Sequence, residues 1–399
     1  MPKKKILFIS GSVGLGHVVR DIAITNKLRK VNPDLDITWL AAPPASDMIK
    51  NAREKLLPEA DTYINENFSA EDAARGTCLN LGYFSLKVKK DWQKNAEIVL
   101  TATRRETFDL IIGDETYGLS TAYKKNPQLR RPPFVIIYDF IGLDSMTMNP
   151  LEKLAVRYWN KIWSMDYGRP TKHFDLGIFV GELEDIPDRG FGFGLPNRRE
   201  YARTKYQFVG YILPFQPADY QDKAAIRKKL GYGKASLVVC AIGGTAVGKD
   251  LIELYGRAYP IIKKEIPDLH MVCVCGPRLS ADSIEAPGEI DIRGYVPNLY
   301  EHFAACDLAI VQGGGSTTIE LTALRRPFLY FPLDGHCEQQ LYVAGRLARH
   351  QAGIKMQYSQ TTPEFLAEKV ISNIGREVTY PPIPTDGAHK AAELINTLL

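Results

Sequence analysis

The stretch Val311-Gln-Gly-Gly-Gly-Ser-Thr-Thr-Ile-Glu320, with Cys337-Glu-Gln-Gln340 shortly after it, decides how this chain is interpreted. The apolar residues 308–311 predict a strand that runs into three glycines. A helix then opens on Ser316 and Thr317, so backbone amides and hydroxyls meet at one point. Such a point suits a phosphate group.

Carboxylate and amide side chains follow the glycines at two places. Glu320 lies one turn into the helix, where its carboxylate suits a ribose diol. The next strand ends at Pro332, and a polar loop follows whose side chains suit sugar hydroxyls: Asp334, Glu338, Gln339 and Gln340. The alternative is a glycine-rich turn that only packs closely, with the loop as ordinary surface. Because all these features occur together, we favour a ligand site.

Short apolar strands alternate with helical segments along the whole chain, which is the pattern of an α/β protein with parallel sheets. In the first half we predict strands at 5–10, 37–40, 110–113, 134–138, 176–179 and 207–210. In the second half we predict them at 237–241, 270–274, 290–293, 308–311 and 328–331. Two Rossmann-like units are therefore expected.

Two prolines interrupt regular structure in the segment 211–219, which we take as a hinge. The predicted domains are an N-terminal acceptor-binding unit at 1–212, a hinge at 213–221 and a C-terminal nucleotide-sugar-binding unit at 222–375. A segment at 376–399 begins with prolines and ends in an Ala/Leu helix.

At these residues the chain resembles the MurG-type N-acetylglucosaminyltransferases and the UDP-glycosyltransferase superfamily with the two-domain GT-B fold. The resemblance implies two parallel sheets facing a cleft between the domains, with 376–399 returning to the first domain. It also implies that Glu320 holds the nucleotide ribose, that the turn 314–317 meets the diphosphate, and that Gln339 and Gln340 contact the donor sugar. Many family members have His or Arg where this chain has Gln312, so a cationic side chain on the phosphate is not expected from that position.

The first strand ends in a glycine-rich loop, Ser10-Gly-Ser-Val-Gly-Leu-Gly-His17. It lacks the Gly-x-Gly-x-x-Gly spacing and the acid at the end of strand two that a dinucleotide fold needs, which disfavours nicotinamide and flavin. His17 suits a general base because an imidazole titrates near neutrality, and superfamily members have a His at the matching place. The alternative is a structural histidine. Gly16 is placed with the donor contacts.

Asp114 ends the apolar strand 110–113 and could orient His17 and stabilise its charge. A helix N-cap or an acceptor-binding acid is an equal alternative. In the second half, the segment 242–249 is another glycine-rich turn between a strand and a helix. Gly244 and Thr245 are therefore predicted to contact the diphosphate. That turn is not a P-loop, because Asp250 follows Lys249. By resemblance, Val296 contacts uracil.

The composition is that of a globular protein: 399 residues, 45% apolar and 24% charged, with a net charge of +4. The charge is too small to indicate nucleic-acid binding, and no apolar run approaches the ~20 residues of a membrane helix. The six cysteines lack metal-ligand spacing, so we expect reduced thiols and a cytoplasmic protein. Basic clusters such as Lys87–Lys90 could face an anionic acceptor or a membrane surface, which would make the protein peripheral on its cytoplasmic side. More often such clusters are solvated.

The sequence therefore predicts an inverting hexosyltransferase that uses a UDP-sugar as co-substrate, with His17 as base, no metal and no further cofactor. The alternatives are a nucleotide-sugar hydrolase or epimerase on the same fold, and a non-catalytic sugar-nucleotide-binding partner. The acceptor, whether a small molecule, a glycan or a lipid-linked compound, is not decided. Several aromatic residues permit a lipid or aromatic acceptor but are as easily core: Phe68, Tyr83, Phe84, Trp159 and Trp163.

Overall fold

A computed structural model of the chain describes residues 3–11, 14–75, 78–79, 81–243 and 248–399. The chain divides into two compact units, one formed by 1–73, 80–214 and 384–399 and the other by 74–79 and 215–383. The break after Pro214 lies within the predicted hinge. The predicted domain limits at 212, 222 and 375 stay a prediction, because a division by compactness does not test them.

The first unit is built on a seven-stranded parallel sheet with the order β3-β2-β1-β6-β7-β8-β9. Its strands are β1 Lys4–Ile9, β2 Leu35–Leu40, β3 Lys55–Leu56, β6 Leu110–Asp114, β7 Phe134–Tyr138, β8 Leu176–Val180 and β9 Gln207–Gly210. The central strands β6 and β7 are buried at every residue, as expected of strands covered on both faces.

Helices cover this sheet, and the last one comes from the far end of the chain. They are α1 Gly16–Val31, α2 Ala45–Asn51, α3 Asn67–Ala73, α4 Leu81–Arg105, α5 Tyr117–Lys125, α6 Pro150–Trp163, α7 Arg198–Lys205 and α14 Gly387–Asn396. α14 packs against α1 and buries Ala391 and Ile395 in the same core as Ile24 and Leu28. The first unit is therefore completed by the C-terminal helix.

The second unit contains a six-stranded parallel sheet with the order β12-β11-β10-β13-β14-β15. Its strands are β10 Leu237–Ala241, β11 His270–Val274, β12 Asp291–Arg293, β13 Leu308–Gln312, β14 Phe328–Phe331 and β15 Ile354–Lys355. Its helices are α8 Lys223–Lys229, α9 Lys249–Glu265, α10 Leu299–Ala305, α11 Gly315–Ala323, α12 Ala344–Arg349 and α13 Pro363–Asn373. Two antiparallel strands of two residues each, β4 Ala74–Arg75 and β5 Cys78–Leu79, also belong to this unit.

The α/β class and the two parallel sheets are confirmed. Each predicted strand is found with its ends shifted by at most two residues. The edge strands β3 and β15 were not predicted, because a run of two residues carries no alternation or apolar length that a pattern can detect.

Candidate active site

The functional residues of each unit lie where the strand order reverses. In the first sheet β1 is flanked by β2 and β6, and in the second β10 is flanked by β11 and β13. Ligands of doubly wound sheets bind outside the carboxyl ends of the strands at this switch point. The loop after β1 and the end of β6 carry His17 and Asp114, and the end of β13 carries the three glycines. The predicted residues are thus collected at two such places, one in each unit.

His17 is the second residue of α1, and its ring is partly buried beside β6. Its Nδ1 lies 3.2 Å from Asp114 Oδ2, and its Nε2 lies 3.8 Å from Glu115 Oε2. A Cβ added to Gly11 would come within 3.2 Å of both the His17 ring and the Asp114 carbonyl oxygen. Gly11 therefore lets the loop after β1 lie close enough to bring His17 to the end of β6.

Arg20, one turn further along α1, is a central residue that the sequence analysis did not select. Its guanidinium is buried and binds both Asp114 carboxylate oxygens, through Nε at 2.8 Å and Nη2 at 2.5 Å. Its Nη1 binds Asp139, at the end of β7. Asp139 was also missed. Its acidic type at a strand end was the available signal, and Asp114 was selected on the same signal.

Arg20 also limits the tautomer of His17, because its Nη2 lies 2.8 Å from the same Nδ1 that faces Asp114. A guanidinium only donates hydrogen bonds, so Nδ1 either accepts from Arg20 or donates to Asp114. Only the tautomer with its proton on Nδ1 leaves the Nε2 lone pair available as a base. The His17 to Asp114 hydrogen bond is therefore the contact on which a catalytic role depends.

Burial and the charge of Arg20 leave the pKa lowered in two of the four acids around this residue and raised in the other two. Burial would raise the pKa of Asp114, but the charges of Arg20 and then His17 outweigh it and hold this pKa well below its usual range. Burial likewise opposes the ionisation of Asp139, and Arg20 lowers its pKa. Burial, followed by the charge of Asp114, raises the pKa of Asp21 well above its usual range. The raised pKa favours the protonated, neutral form of Asp21, and Ser10 Oγ donates to Asp21 Oδ2 at 2.6 Å.

Glu115 is the other neutral acid. Burial raises its pKa well above the usual range, and the charges of Asp139 and Asp114 add to the effect. Its proton is shared with Asp139, whose pKa this hydrogen bond lowers. Glu115 has φ of +50°, a left-handed conformation that non-glycine residues rarely adopt. Such strain persists where the surrounding structure holds it, often at functional sites.

In the second unit, the turn from β13 into α11 presents unpaired amides. Gly313 donates to Phe331 and Gly314 to Gln312, each through its backbone N–H at 2.8 Å. The first helical hydrogen bond is donated by Thr318, so the N–H groups of residues 315, 316 and 317 have no acceptor within the described ranges. The predicted phosphate turn 314–317 thus offers Gly315, Ser316 and Thr317. The amide of Gly314 is already used.

Glu320 is on α11, and its carboxylate forms no hydrogen bond or ion pair with any residue that the structure describes. Burial raises its pKa to about 8, although part of the residue remains accessible to solvent. A ligand that donates hydrogen bonds to such a buried carboxylate stabilises it. A ribose diol has the required two hydroxyl groups.

Arg346 on α12 supplies the cation that Gln312 does not. A Cβ added to Gly315 would meet Arg346 Nη2 at 3.4 Å and Glu338 Oε1 at 3.6 Å. The buried guanidinium therefore lies beside the first amide of α11, where the partial positive charge of the helix end adds to its own. The sequence analysis missed Arg346 because it lies 31 residues beyond Gly315 in a helix without a motif.

The two glutamines hold the loop that follows β14. Gln339 Oε1 accepts from the Leu333 N–H at 2.9 Å, which orients its amide. Gln340 Nε2 donates to the carbonyl oxygens of Pro332 and Leu333, and its Oε1 accepts from Lys355 Nζ at 3.0 Å. Both side chains are thus fixed at the end of a strand by the protein itself. Their contact with a sugar stays a prediction.

The remaining predicted site residues lie as follows. Val296 is in the loop after β12, and its backbone groups form no hydrogen bond among the residues described here. Gly16 opens α1 in the first unit, next to His17. Gly244 and Thr245 lie outside the described residues.

One acidic motif bears on the prediction that the reaction needs no metal. The chain does contain an Asp-x-Asp, at Asp34 and Asp36. It lies at the start of β2, the opposite edge of the sheet from His17, and is exposed or half-exposed. Its position gives it no part in the site described above.

Comparison with known proteins agrees with the fold. Residues 238–393 match the glycosyltransferase family 28 C-terminal domain. An uncharacterized glycosyltransferase of Methanosarcina acetivorans is 30% identical over 92% of this chain and 88% of its own. The UDP-N-acetylglucosamine--N-acetylmuramyl-(pentapeptide) pyrophosphoryl-undecaprenol N-acetylglucosamine transferase of Thermobifida fusca is 25% identical over 91% and 84%. An uncharacterized glycosyltransferase of Methanopyrus kandleri is 28% identical, but the match spans about half of each protein, 48% and 54%.

Among solved structures, the glycosyltransferase of kitacinnamycin has a TM-score of 0.63 at 13% identity, over 100% of this chain and 99% of that one. Acinetobacter baumannii MurG has a TM-score of 0.51 at 15% identity, over 98% and 95%. The two doubly wound units and these neighbours define the fold as GT-B. The chain belongs to the MurG-like family 28 glycosyltransferases, and it is a glycosyltransferase enzyme.

None of the described helices is long and apolar enough to cross a membrane.

Proposed function

We propose that the protein transfers a hexose from a UDP-sugar to an acceptor hydroxyl with inversion at the anomeric carbon, and that His17 is the general base. The contact of His17 with the charged Asp114 carries this proposal. His17 takes the proton of the acceptor hydroxyl, whose oxygen attacks the anomeric carbon as the bond to the nucleoside diphosphate breaks. The names of relatives such as the T. fusca transferase support UDP as the nucleotide.

The charge balance around His17 favours this role. Arg20 carries one positive charge, and Asp114 and Asp139 carry one negative charge each, while Asp21 and Glu115 keep their protons. The cluster with neutral His17 is therefore left with one excess negative charge. When His17 accepts a proton, the imidazolium neutralises that excess, so the site stabilises the charge that forms in the transition state.

The leaving diphosphate is stabilised in the second unit. Three N–H groups at the start of α11, two adjacent hydroxyls and the Arg346 guanidinium are the donors: Gly315, Ser316, Thr317 and Arg346. These groups supply positive potential where the negative charge develops, so the proposed reaction does not call for a metal ion. Glu320 accepts from the ribose diol, and Gln339 and Gln340 are the contacts proposed for the donor sugar.

The test is the turnover of UDP-glucose and UDP-N-acetylglucosamine with a panel of alcohols and phenols. We expect a product of inverted anomeric configuration by NMR, and a loss of about 10²–10⁴-fold in kcat for His17→Ala with UDP affinity kept. The control is His389→Ala, an exposed histidine on α14. Release of free sugar without an acceptor at the same rate would make the protein a hydrolase. UDP binding without turnover would make it a binding partner, and unchanged kcat in His17→Ala would remove His17 as the base.

We further infer that α6 contacts an anionic membrane surface peripherally. Its inner face buries Glu152, Val156 and Asn160. Exposed Met148 lies just before the helix, and the outer side of the helix exposes apolar residues interspersed with cations: Leu151, Lys153, Leu154, Arg157, Tyr158 and Lys161. A helix of this kind lies in the interface of a bilayer, with its basic residues on acidic headgroups.

Co-sedimentation with vesicles tests this contact. We expect binding to phosphatidylglycerol vesicles that exceeds binding to phosphatidylcholine and falls with salt. The double variant Leu151→Glu, Leu154→Glu should lose it, and Ile371→Glu, on an exposed position of α13, should not. Equal sedimentation of the double variant would exclude α6 as the contact.

A further inference from the structure

A cavity of about 110 Å³ lies inside the first unit between α4, α5, α6 and the end of β7. Eight of its fourteen lining residues are aromatic: Phe84, Trp92, Tyr117, Tyr138, Phe140, Trp159, Trp163 and Tyr206. The other lining residues include Ser120, Thr121, Lys124 and His173. None of the residues to which the proposed reaction gives a role lines this cavity.

Tyr117 is the centre of the aromatic cluster. Its ring lies 5.4 Å from Tyr138 in a stacked arrangement, 5.3 Å from Trp92 and 6.0 Å from Trp163. Trp92 meets Trp159 edge to face at 5.2 Å. These ring walls offer both faces and edges, and a planar aromatic guest gains about 0.5–1.5 kcal/mol per ring contact beyond the burial of its area.

Lys124 and Ser120, two polar residues of the cavity, have hydrogen-bond partners. Lys124 Nζ donates to the carbonyl oxygens of Ile162 and Trp163, at 3.1 and 2.9 Å. Ser120 bonds the Tyr138 hydroxyl. The Tyr117 hydroxyl is buried and has no hydrogen-bond partner in the described part of the chain. A buried hydroxyl without a partner costs about 1–3 kcal/mol, and an oxygen on a ligand would remove that cost.

Tyr117 also connects the cavity with the catalytic cluster. Its backbone N–H donates to the Glu115 carbonyl oxygen at 2.8 Å. The Tyr117 phenol lies within the electrostatic influence of both Glu115 and Asp139. The cavity residues Tyr117, Tyr138 and Phe140 are therefore within two residues of Glu115 or Asp139, two of the acids around Arg20.

We propose that this cavity binds the acceptor, and that the acceptor is a planar aromatic compound with a polar oxygen besides the hydroxyl that receives the sugar. This inference rests on the proposed function. The ring packs among the aromatic walls, the oxygen pairs with the Tyr117 hydroxyl, and the reacting hydroxyl faces His17.

A hydrocarbon chain fits the same space less well for two reasons. The cavity volume is of the order of the ~150 Å³ that holds one benzene molecule, which is a ring and not a long lipid tail. A saturated chain would also leave the Tyr117 hydroxyl without a partner in a dry cavity. The exposed apolar side of α6 is separate from this cavity, because Trp159, Ile162 and Trp163 line the cavity while Leu151, Leu154 and Tyr158 are exposed.

Tryptophan fluorescence reads the cavity directly, since three of the four tryptophans in the chain line it. We expect 4-nitrophenol, which has oxygen at both ends of one ring, to quench the emission saturably. 4-Methylphenol, in which a methyl group replaces the second oxygen-bearing group, should bind on the order of tenfold more weakly, and 1-octanol more weakly still. Equal binding of octanol, or no saturable quenching by any ring compound, would overturn the proposal.

Tyr117→Phe is the matched variant because it removes only the hydroxyl. It should bind 4-nitrophenol on the order of tenfold more weakly and 4-methylphenol as the wild type does, with an unchanged or higher melting temperature. Tyr123→Phe is the control, a buried tyrosine on the same helix that does not line the cavity. If Tyr117→Phe binds both compounds like the wild type, the proposal fails.

Calorimetry with UDP separates the failure of this proposal from the failure of the proposed function. UDP affinity should be the same in wild type and Tyr117→Phe. Wild-type protein that binds UDP but no ring compound would refute the acceptor class alone. Protein that binds ring compounds but no UDP would refute the donor site on which the proposed function depends.

Discussion

At the scale of single residues, the first unit distinguishes acids that look alike in the sequence. Asp114 and Glu115 are neighbours, yet Arg20 binds the first directly and leaves the second beside Asp139. The pKa of Asp114 is therefore lowered and that of Glu115 raised. Asp114 places negative charge beside His17, and Glu115 forms a hydrogen bond with Asp139.

Replacing each of these two acids by its amide should have different consequences for kcat. Asp114→Asn cannot hold the imidazolium of His17, so we expect kcat to fall by about 10²–10⁴-fold, as for other base-orienting carboxylates. Glu115→Gln imitates the protonated acid, so kcat should stay within about threefold. Initial rates of transfer from the same UDP-sugar measure both. Equal losses in the two variants would contradict the assignment of charge.

Glu320 should make stability depend on pH. Its pKa is raised to about 8 by burial, so the folded protein resists the ionisation that the unfolded chain completes near its ordinary value. The free energy of unfolding contributed by this group therefore falls as the pH rises between those two values. We expect Glu320→Gln to melt higher than wild type at pH 8 by roughly 2–4 °C, a change of ~1 kcal/mol, and to melt at the same temperature as wild type at pH 4. A difference in melting temperature that is independent of pH would contradict it.

At the scale of elements, two strand-to-helix turns position the residues of the proposed site. The turn from β1 brings His17 to Asp114, and the turn from β13 directs the N–H groups of 315–317 outward. The second turn is completed by α12, whose Arg346 lies beside Gly315. The amides and the cation should then act on the same part of the ligand, the diphosphate.

Arg346 can be tested by comparing UDP with uridine. We expect Arg346→Gln to weaken UDP by about tenfold, because a charged hydrogen bond to phosphate is lost, and to leave the weaker uridine binding unchanged. Arg325→Gln makes the same change of charge at the opposite, exposed end of α11 and serves as the control. Calorimetric titration gives all four affinities. Equal weakening of uridine would show that Arg346 supports the fold of the site and not the diphosphate.

The elements also show what could be read from the sequence. Long apolar runs such as 134–138 and 237–241 were predicted with their observed limits, since burial on both faces demands continuous apolar residues. The glycine turns and the acid at the end of β6 followed from strand ends. Asp139 follows the end of β7 and carried the same signal, but Arg20 and Arg346 could not be found this way. Arg20 and Asp139 are 119 residues apart, and only the sheet order brings them together.

At the scale of the whole molecule, each unit buries its own core around its own sheet. The first unit needs both ends of the chain, because Ile395 and Ala391 of α14 fill the core beside α1. All four tryptophans belong to the first unit, so their emission reports its unfolding.

Ile395→Ala should destabilise the first unit by about 2–4 kcal/mol, because it leaves a cavity in a fully buried position. Urea unfolding followed by tryptophan emission would show a lower midpoint with the same slope. Glu393→Ala, exposed on the same helix, should change the free energy by less than about 0.5 kcal/mol. An unchanged midpoint in Ile395→Ala would mean that α14 contributes nothing to the stability of this unit.

The central claim is that the second unit binds a nucleoside diphosphate through α11 and Glu320. Calorimetric titration of wild type and Glu320→Ala with UDP, TDP and GDP tests it most directly. The account predicts one site that prefers UDP, weakened by about 10–100-fold in the variant because the ribose loses the carboxyl group that binds its diol. No binding of any of the three by the wild type, or the same UDP affinity in Glu320→Ala, would contradict it.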